Sequence, residues 1–435
     1  MPKTHHEVRD AIHGFLSFNT LEKTLIDSAP FQRLRCIHQL AMCYQVYPGA
    51  THKRFEHSLG VMEVATRIFD SIFREPMEPS VRDRISEQLE PNQRGYWRQV
   101  VRLAALLHDV GHLPFSHAAE KELLPEGWNH ERLTMEIIRH SEIAQILQDA
   151  SPPIKPEDVI DVACDVADRI DGKNLTPWKT VLNEIITGRT FGADRIDYLL
   201  RDSWHAGVAY GRFDPDRLIA GLRLMIDPEI EEIALGIERA SIHSAEALLL
   251  ARYFMYSQVY FHKTRRIYDI HLKDFLQAWL PNGRFSTDWK ELLKVADDEI
   301  LSQLRRSAAD PSEKLYDLAI RLVKRQHFRT AFELVSTQKK ERPAILSDVT
   351  LWAQEKFGQG NVRCDSYGPK SENNDFLVWT NGVISSSIEA SGVIANIPPF
   401  EIGYVFVDQV RVTNAKSRIK TYTDSLLQEP KRVIQ

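Results

Sequence analysis

The spacing of apolar residues is the feature that most constrains how this chain can fold. Apolar side chains recur every three or four positions from roughly residue 20 to roughly residue 335, as in Leu59, Met62 and Ile68. That interval matches the turn of an α-helix, so each stretch presents one apolar face to a core. The pattern predicts a mainly α fold over this part of the chain.

One predicted helix runs directly into a polar cluster. The run WRQVVRLAALLHDVGH, residues 97–112, has an apolar stripe that reaches His108, and Gly111 and Pro114 then end the helix. Consecutive residues of a regular helix face different directions, so His108 and Asp109 can both point at one ion only near a helix end. The sequence therefore places this His-Asp pair at a helix terminus.

The pattern changes beyond about residue 335. After the charged stretch 339–343, short β-branched runs replace the helical spacing. These runs are FLVWT, GVISS and IGYVFVDQVRV. We predict a helical core in residues 1–335 and a small α/β C-terminal domain in residues 336–435, whose strands either make oligomer contacts or complete the fold.

Composition excludes several classes of protein. The 435 residues carry 55 Lys and Arg against 60 Asp and Glu, and the net charge of −5 argues against a dedicated nucleic-acid binder. Four scattered cysteines without a C-x-x-C pair are typical of a reducing compartment. The first residues lack the apolar core of a signal peptide, and no stretch resembles a membrane span. We expect a cytoplasmic protein without a membrane partner.

Histidines and aspartates punctuate the apolar helices. They are His57, His108, Asp109, His112, His117, His130, Asp194 and Asp197. Imidazole and carboxylate groups bind divalent Mn, Fe, Co, Ni or Zn, and two of each leave coordination positions open for water. The alternative is structural, because a single histidine beside apolar residues more often makes a hydrogen bond than binds a metal. Residue types alone leave both interpretations open.

Three strings along the chain resemble a known family. They are, in order, RFEHSLGV, HDVGHLPFSH and ADRIDYLLRD. Together with DAIHGFLSF near the N-terminus and ARYFMYSQVYFHK further on, they resemble the HD-domain phosphohydrolases over roughly residues 8 to 265. The resemblance is specifically to the deoxynucleoside triphosphate (dNTP) triphosphohydrolases. It implies a mainly α fold with an HD-domain helical core that holds its site between helices.

The resemblance implies one metal centre and a set of catalytic side chains beside it. The metal ligands would be His57, His108, Asp109 and Asp194. The cofactor would be a divalent metal, namely Mn, Mg, Fe, Ni, Co or Zn. His117 and Glu120 would form a histidine-carboxylate pair for in-line attack or for protonating the leaving oxygen. His112 and His130 would face the phosphates.

The resemblance also implies contacts with a nucleotide substrate. The set consists of Arg54, Arg252 and Lys263 for the phosphates, Tyr198, Asp202 and Tyr260 for the sugar, and Gln39 and Leu40 for the 3′-hydroxyl and the base. Ordinary ion pairs and core packing are the alternatives for these residues. The chain departs from the family directly afterwards, where Ala41, Met42 and Cys43 replace a glycine-rich stretch. Larger side chains at that turn bear on the preferred base.

A regulatory nucleotide site is a further implication of the resemblance. Asp27, Gln32 and Arg35 match positions where regulated members of the family bind a guanine base at a subunit interface. A carboxylate accepts from the guanine N–H groups and arginine donates to O6 and N7, whereas the alternative is a local ion pair. We therefore expect a homo-oligomer, a dimer or tetramer, activated by GTP or a dNTP.

The expected function is hydrolysis of a dNTP between sugar and α-phosphate, which yields a deoxynucleoside and inorganic triphosphate. Two alternatives remain open at this point. Other HD proteins cleave phosphodiesters, so the chain is alternatively a nuclease or cyclic-nucleotide phosphodiesterase, although its net acidity disfavours a nucleic-acid partner. The third class is a nucleotide-sensing or nucleic-acid-binding scaffold without catalysis, which the intact set of predicted metal ligands disfavours.

Overall fold

The computed structural model describes residues 5–75, 77–88, 93–116, 120–165, 175–368 and 375–428. The strands are β1 (His6–Asp10), β2 (Gly14–Phe18), β3 (Leu222–Ile226), β4 (Ile233–Glu238), β5 (Arg329–Glu333), β6 (Val362–Tyr367), β7 (Leu377–Thr380), β8 (Val383–Ser386) and β9 (Ile402–Val407). The helices up to residue 255 are α1 (Thr20–Asp27), α2 (Ala29–Gln32), α3 (Arg54–Ile72), α4 (Pro79–Gln88), α5 (Arg94–Leu107), α6 (Glu120–Leu123), α7 (His130–His140), α8 (Glu142–Gln148), α9 (Pro156–Ala163), α10 (Pro177–Thr187), α11 (Ala193–Ala206), α12 (Pro215–Ala220) and α13 (Ile242–Met255). The later helices are α14 (Lys263–Trp279), α15 (Trp289–Leu292), α16 (Asp297–Ser307), α17 (Tyr316–Val323), α18 (Ser336–Glu341), α19 (Ile345–Phe357), α20 (Ser387–Ala390), α21 (Gly392–Ala395) and α22 (Val412–Gln428).

These elements confirm the predicted mainly α fold with a small sheet-containing region near the C-terminus. None of the helices in the described ranges is both long and apolar enough to cross a membrane. Short 3-10 turns and one π-helical turn, Tyr256–Tyr260, connect several of the longer elements.

The chain forms two compact units, each assembled from separate segments. The first unit comprises Met1–Met255, Phe285–Glu299 and Asn373–Ile397, and the second comprises the remaining segments. Those are Tyr256–Arg284, Ile300–Glu372 and Pro398–Gln435. The domain boundary that the sequence predicts after residue 335 concerns parts of the chain that fold independently. That boundary stays a prediction.

Helix α3 is the centre of the first unit. It packs against α5 on one side and α11 on the other, and most of its residues are buried, including Phe69 and Gly60. A helix that is enclosed on several sides needs apolar residues around most of its circumference, and the sequence VMEVATRIF provides them. The three helices that carry the predicted metal ligands are therefore held in one core.

The turn after α5 has an unusual backbone. Phe115 and Ser116 both have positive φ values, 57° and 56°, in a region that non-glycine residues rarely occupy. Asp297 accepts a hydrogen bond of 2.7 Å from the Phe115 N–H, and the Ser116 hydroxyl donates to the His38 carbonyl at 2.8 Å. Asp297 also accepts from the His38 N–H at 2.8 Å. These bonds stabilise a strained turn directly beside the predicted site.

A four-stranded sheet in the order β3-β4-β7-β8 belongs to the first unit. The strands β7 and β8 come from the runs FLVWT and GVISS, which we had grouped with the later β-branched run of the C-terminal domain. Instead, β7 pairs in parallel with β4, a strand that lies far earlier in the chain. Strand patterns predict that a segment is extended but not which partner it joins, because the pairing depends on long-range packing.

The second unit contains a three-stranded sheet in the order β5-β9-β6. The central strand β9 is antiparallel to both neighbours, and all six of its residues are buried. Helices α19 and α22 pack against the sheet and each other through an apolar cluster that includes Val349, Val405 and Ile419. This is the small α/β arrangement that the β-branched run at 402–412 predicted.

A buried ion pair links the start of α1 to α5. The Arg102 guanidinium donates to both Glu22 carboxylate oxygens, at 2.5 and 2.8 Å, and both side chains are almost fully buried. Glu22 also closes a capping box with Asn19 at the start of α1. One turn earlier on α5, Arg98 makes the same bidentate contact with Asp70, but this pair is nearly half exposed.

Replacing Glu22 with alanine should destabilise the protein far more than replacing Asp70. Glu22→Ala leaves the Arg102 guanidinium buried without its carboxylate, which costs about 3–5 kcal/mol of unfolding free energy. Asp70→Ala breaks an exposed pair and should cost about 0–1 kcal/mol. Urea denaturation of the two purified variants measures the difference. Equal losses of unfolding free energy at neutral pH would contradict the assignment of Glu22 and Arg102 as a buried ion pair.

The same pair gives stability a defined pH dependence. Burial raises the pKa of Glu22, but the hydrogen bonds and charge of Arg102 outweigh it and keep the pKa below the ordinary 4.5. A carboxyl with a lowered pKa stabilises the fold above its unfolded pKa, and this contribution disappears as the pH falls through the folded pKa. The difference in unfolding free energy between wild type and Glu22→Ala should therefore shrink as the pH falls through the folded pKa of Glu22.

Candidate metal centre

The ends of three helices bring the four predicted metal ligands together. His57 lies in the first turn of α3, and Asp194 lies in the first turn of α11. His108 and Asp109 directly follow the last residue of α5. The adjacent His-Asp pair thus lies at a helix terminus, where both side chains can turn toward one point.

The distances between the four side chains describe a compact cluster. His57 Nε2 lies 2.9 Å from an Asp194 oxygen and 3.7 Å from an Asp109 oxygen. His108 Nε2 lies 3.3 Å from Asp109 and 3.7 Å from Asp194. Both Nε2 atoms are buried, and neither has a hydrogen-bond partner among the described residues. Two imidazole nitrogens and two carboxylates that converge on one point fit a divalent metal ion.

Electrostatics at the cluster favour a bound cation. Burial lowers the pKa of His57, but Asp194 and Asp197 outweigh it and raise that pKa to about 10. The carboxylates therefore favour a positive charge at this position, whether a proton on His57 or a metal ion that displaces it. Burial raises the pKa of Asp109, yet the nearby Arg54 guanidinium holds it well below its ordinary value. The predicted ligand Asp109 is thus ionised.

Asp197 stands directly behind His57. One of its oxygens lies 2.8 Å from His57 Nδ1, the ring nitrogen opposite the one that faces the cluster. Histidines that bind metals commonly donate their second N–H to a carboxylate, which fixes the tautomer and the ring orientation. Gly60 of α3 makes room for this contact, because a Cβ atom there would collide with Asp197 and Arg201.

His112, Glu120 and His130 form a second polar group next to the first. His130 Nδ1 lies 2.8 Å from Glu120, and His112 Nε2 lies 3.2 Å from the predicted ligand Asp109. The His112 and His130 rings stack at 4.0 Å with an angle of 15°. An ion bound by both rings would have to lie in both ring planes, which nearly parallel planes do not permit. The stacked pair therefore suits a role facing a substrate better than a shared metal.

The two stacked histidines differ in charge. Burial lowers the pKa of His130, but Glu120 outweighs it and raises that pKa to about 9. Burial, with the charges of Arg54 and His130, holds the pKa of His112 well below its ordinary 6.5. We predicted that Glu120 pairs with His117, but His117 lies outside the described residues. The partner that the structure does describe is His130.

Arg54, predicted to bind phosphate, is bound to a predicted metal ligand. Its Nη1 donates to Asp109 at 2.5 Å, and its Nε donates to the Ser116 hydroxyl at 2.7 Å. The side chain is 4% exposed. The guanidinium thus links α3 to the strained turn after α5 and neutralises part of the carboxylate charge.

Gln39 and Leu40 are both buried, in the loop that precedes α3. The Gln39 side-chain oxygen has no hydrogen-bond partner among the residues that the structure describes. Next to them, Ala41 has a φ of 48°, in the left-handed region that favours glycine. Glycine adopts this backbone most easily, and here Ala41 adopts it.

The remaining predicted substrate contacts are distributed over both units. Asp202 is buried and lies 2.7 Å from His52, and Tyr198 lies one turn earlier on α11. Arg252 is buried near the end of α13, also in the first unit. In the second unit, Tyr260 ends the π-helical turn and Lys263 begins α14. Lys263 pairs there with Glu333 at 3.0 Å.

The three residues of the predicted regulatory site have local contacts. Asp27 pairs with Lys23 one turn earlier on α1. Gln32 accepts a hydrogen bond of 2.8 Å from Arg35, whose guanidinium lies 3.4 Å from the centre of the Phe55 ring. These contacts are compatible with the local ion-pair interpretation, and the guanine-binding role stays a prediction.

His13, Asp10 and Arg201 are not among the predicted site residues. His13 and Arg201 contact Asp197 behind His57, and Asp10 contacts Arg201. Two signals pointed to them. The string DAIHG holds a histidine and an aspartate at a hairpin turn, and Asp197 and Arg201 are four residues apart on one helix face. Neither signal indicates by itself that the two segments meet.

Known proteins resemble this chain over most of its length. A family model described as HD domain matches residues 54–202, and one described as HD associated region matches residues 213–351. An uncharacterized protein from Methanocaldococcus jannaschii is 34% identical over 300 residues, 69% of this chain and 55% of that protein. The deoxynucleoside triphosphate triphosphohydrolase SAMHD1 of Homo sapiens is 30% identical over 296 residues, 62% of this chain and 44% of that protein.

A solved structure extends the similarity to the whole fold. The crystal structure of a hypothetical protein from Aquifex aeolicus has a TM-score of 0.77 and 32% sequence identity, and covers 95% of this chain and 100% of that one. The chain spans about half the length of the curated relatives it matches, 55% and 44% of the two described above.

Replacing His108 with alanine should abolish stoichiometric metal binding and leave the fold intact. The substitution removes one of the two buried nitrogens directed at the cluster, while α5 already ends before this residue. The test is dialysis against Mn²⁺ followed by elemental analysis, with circular dichroism to check folding. His140→Ala is the control, because that side chain is 55% exposed at the end of α7. Equal Mn²⁺ in both variants would refute the predicted ligand.

Proposed function

This chain belongs to the HD-domain family, and we propose that it is a metal-dependent hydrolase of deoxynucleoside triphosphates. The proposed products are a deoxynucleoside and inorganic triphosphate. The observation that carries the proposal is the convergence of two buried imidazole Nε2 atoms and two carboxylates, those of Asp109 and Asp194, at three helix ends. The relatives named dNTP triphosphohydrolases support the choice of substrate.

His57, His108, Asp109 and Asp194 would hold the divalent ion. The ion supplies Lewis-acid polarisation of the α-phosphate when bound. Arg54 keeps the Asp109 carboxyl ionised, so this residue would meet the cation as a carboxylate rather than as a neutral acid. The donor set admits Mn, Fe, Co, Ni and Zn, and Mg through its carboxylates.

His130 is the proposed acid for the leaving 5′-oxygen of the sugar. Glu120 accepts at Nδ1, which leaves Nε2 as the nitrogen that carries a transferable proton. With a pKa of about 9, His130 is protonated at neutral pH. His112, whose pKa is low, offers a neutral imidazole beside it. Neighbouring groups with pKa values pushed apart are the arrangement that acid-base catalysis uses.

The regulatory part of the proposal concerns the first helix. Asp27, Gln32 and Arg35 would bind the guanine of an activating GTP or dNTP, and binding would favour an assembled homo-oligomer. Asp27 is more than half exposed and so is accessible to a base. Because Arg35 and Gln32 already bond each other, base binding would exchange one hydrogen bond for others rather than bury a bare charge.

Incubation of the metal-loaded protein with each dNTP, singly and in mixtures, should produce inorganic triphosphate and a deoxynucleoside. Anion-exchange chromatography separates these products from mono- and diphosphates. His108→Ala should give neither product, because its metal centre is incomplete. Turnover of single-stranded nucleic acid or a cyclic nucleotide, with every dNTP intact, would replace this proposal with a nuclease or phosphodiesterase.

Asp27→Ala should lose activation by guanine nucleotides while its metal content stays at the wild-type level. Lys23→Ala is the matched control, since it breaks the same local ion pair from the other side. If Asp27 binds the base, only Asp27→Ala changes the activation curve measured by product release. If both variants lose activation equally, Asp27 acts only through its ion pair with Lys23, and the prediction that it binds guanine is wrong.

A further inference from the structure

The N-terminal hairpin carries one histidine into the interior of the first unit. Strands β1 and β2 pair from His6 opposite Phe18 to Asp10 opposite Gly14. At the turn, an Asp10 oxygen accepts hydrogen bonds of 2.9 Å from the N–H groups of Ile12 and His13. Gly14 has a φ of 81°, which suits its lack of a side chain. The turn therefore holds His13 in one orientation at the tip of the hairpin.

His13 reaches the carboxylate that stands behind the metal centre. Its Nε2 lies 2.7 Å from an Asp197 oxygen, and the two side chains are 5% and 0% exposed. The contact joins residues 184 positions apart. Water does not compete for a bond this deeply buried, so the contact is stronger than its equivalent on the surface.

Asp197 is surrounded by nitrogen donors. Arg201 donates to both oxygens, at 2.8 and 2.9 Å, His13 approaches one of them, and His57 approaches the other. Each oxygen thus has two nitrogen partners, and the carboxylate has no freedom to rotate without breaking one. Arg201 in turn is held by Asp10 at 2.8 Å, so the hairpin fixes Asp197 both directly and through Arg201.

The orientation of Asp197 decides which nitrogen of His57 faces the metal. A carboxylate accepts only, so His57 donates from Nδ1, and Nε2, on the side of Asp109 and Asp194, is the nitrogen left to bind a metal ion. A rotated Asp197 would weaken that hydrogen bond and release the ring. The hairpin therefore acts on a predicted metal ligand through one intermediate side chain.

We propose that His13 is a positioning residue of the metal centre and that the N-terminal hairpin is a functional part of it. The proposal rests on the metal centre of the proposed function, but not on the identity of the substrate. His13 lowers the free energy of the one Asp197 orientation that holds His57 for binding. A histidine that only locked the hairpin in place would affect folding stability and leave the metal affinity of the folded protein unchanged.

Co²⁺ is the probe for the test, because its visible absorption reports the geometry of its ligands. The affinity is measured by competition with a chelator, on the full-length protein. His13→Leu removes the donor, and His13→Gln retains an N–H that can reach Asp197. Removing such an outer partner of a ligand should weaken Co²⁺ binding about 10-fold and alter the spectrum, and His13→Gln should restore most of both.

Two further variants separate positioning from stability. Leu16→Ala removes a fully buried side chain from β2 and should lower the melting temperature, with wild-type Co²⁺ affinity in the folded protein. Phe15→Ser changes the exposed face of the same hairpin, where the side chain is 65% exposed. It should change neither the melting temperature nor the Co²⁺ affinity.

The outcomes are distinct. The proposal is supported if His13→Leu binds Co²⁺ more weakly and has an altered spectrum, and if His13→Gln recovers both properties. Leu16→Ala must keep the wild-type affinity and spectrum. Wild-type affinity and spectrum in folded His13→Leu overturn it, as does an equal loss in Leu16→Ala. A wild-type protein that binds no Co²⁺ overturns the metal centre itself. A wild-type protein that binds Co²⁺ but hydrolyses no dNTP overturns only the substrate.

Discussion

The buried carboxylate of Asp197 is the interaction on which the rest of the site depends. It is fully buried on α11, and its four nitrogen contacts come from α11 itself, from α3 and from the N-terminal hairpin. Burying a charge is costly unless the charge is paired and hydrogen-bonded, and here Arg201 supplies the opposite charge. Three segments of the chain must therefore pack correctly before this carboxylate is stable. The same packing places His57 beside Asp109 and Asp194.

Charge is distributed around the site in layers. The Asp109 and Asp194 carboxylates line the predicted metal position, and Arg54 stands behind Asp109. Arg201 holds Asp197 behind His57, and the stacked His112 and His130 lie to one side. Each guanidinium holds a carboxylate in its ionised form, so the negative charge directed at the cation does not depend on protonation near neutral pH. The end of α5 lets the consecutive side chains of His108 and Asp109 converge on the predicted metal position.

Much of the fold followed from local patterns in the sequence. The helical spacing predicted α3 and α5, and Gly111 with Pro114 predicted a helix end beside His108, whereas the four candidate ligands followed from the resemblance to a family. Contacts between distant segments did not follow. The parallel pairing of β7 with β4 and the contact of His13 with Asp197 depend on packing that no local pattern encodes. Glu120 pairs with His130, ten residues away, whereas the resemblance implies a pair with His117, which lies outside the described residues.

The most direct test of the central claim is anomalous X-ray diffraction from crystals of the protein soaked in Mn²⁺ or Co²⁺. We predict one strong peak at about 2.1 Å from the Nε2 atoms of His57 and His108, with oxygens of Asp109 and Asp194 completing the set. Asp197 should remain hydrogen-bonded to His57 Nδ1. A peak held instead by His112, Glu120 and His130, or no peak at either place, would contradict the assignment of the metal centre.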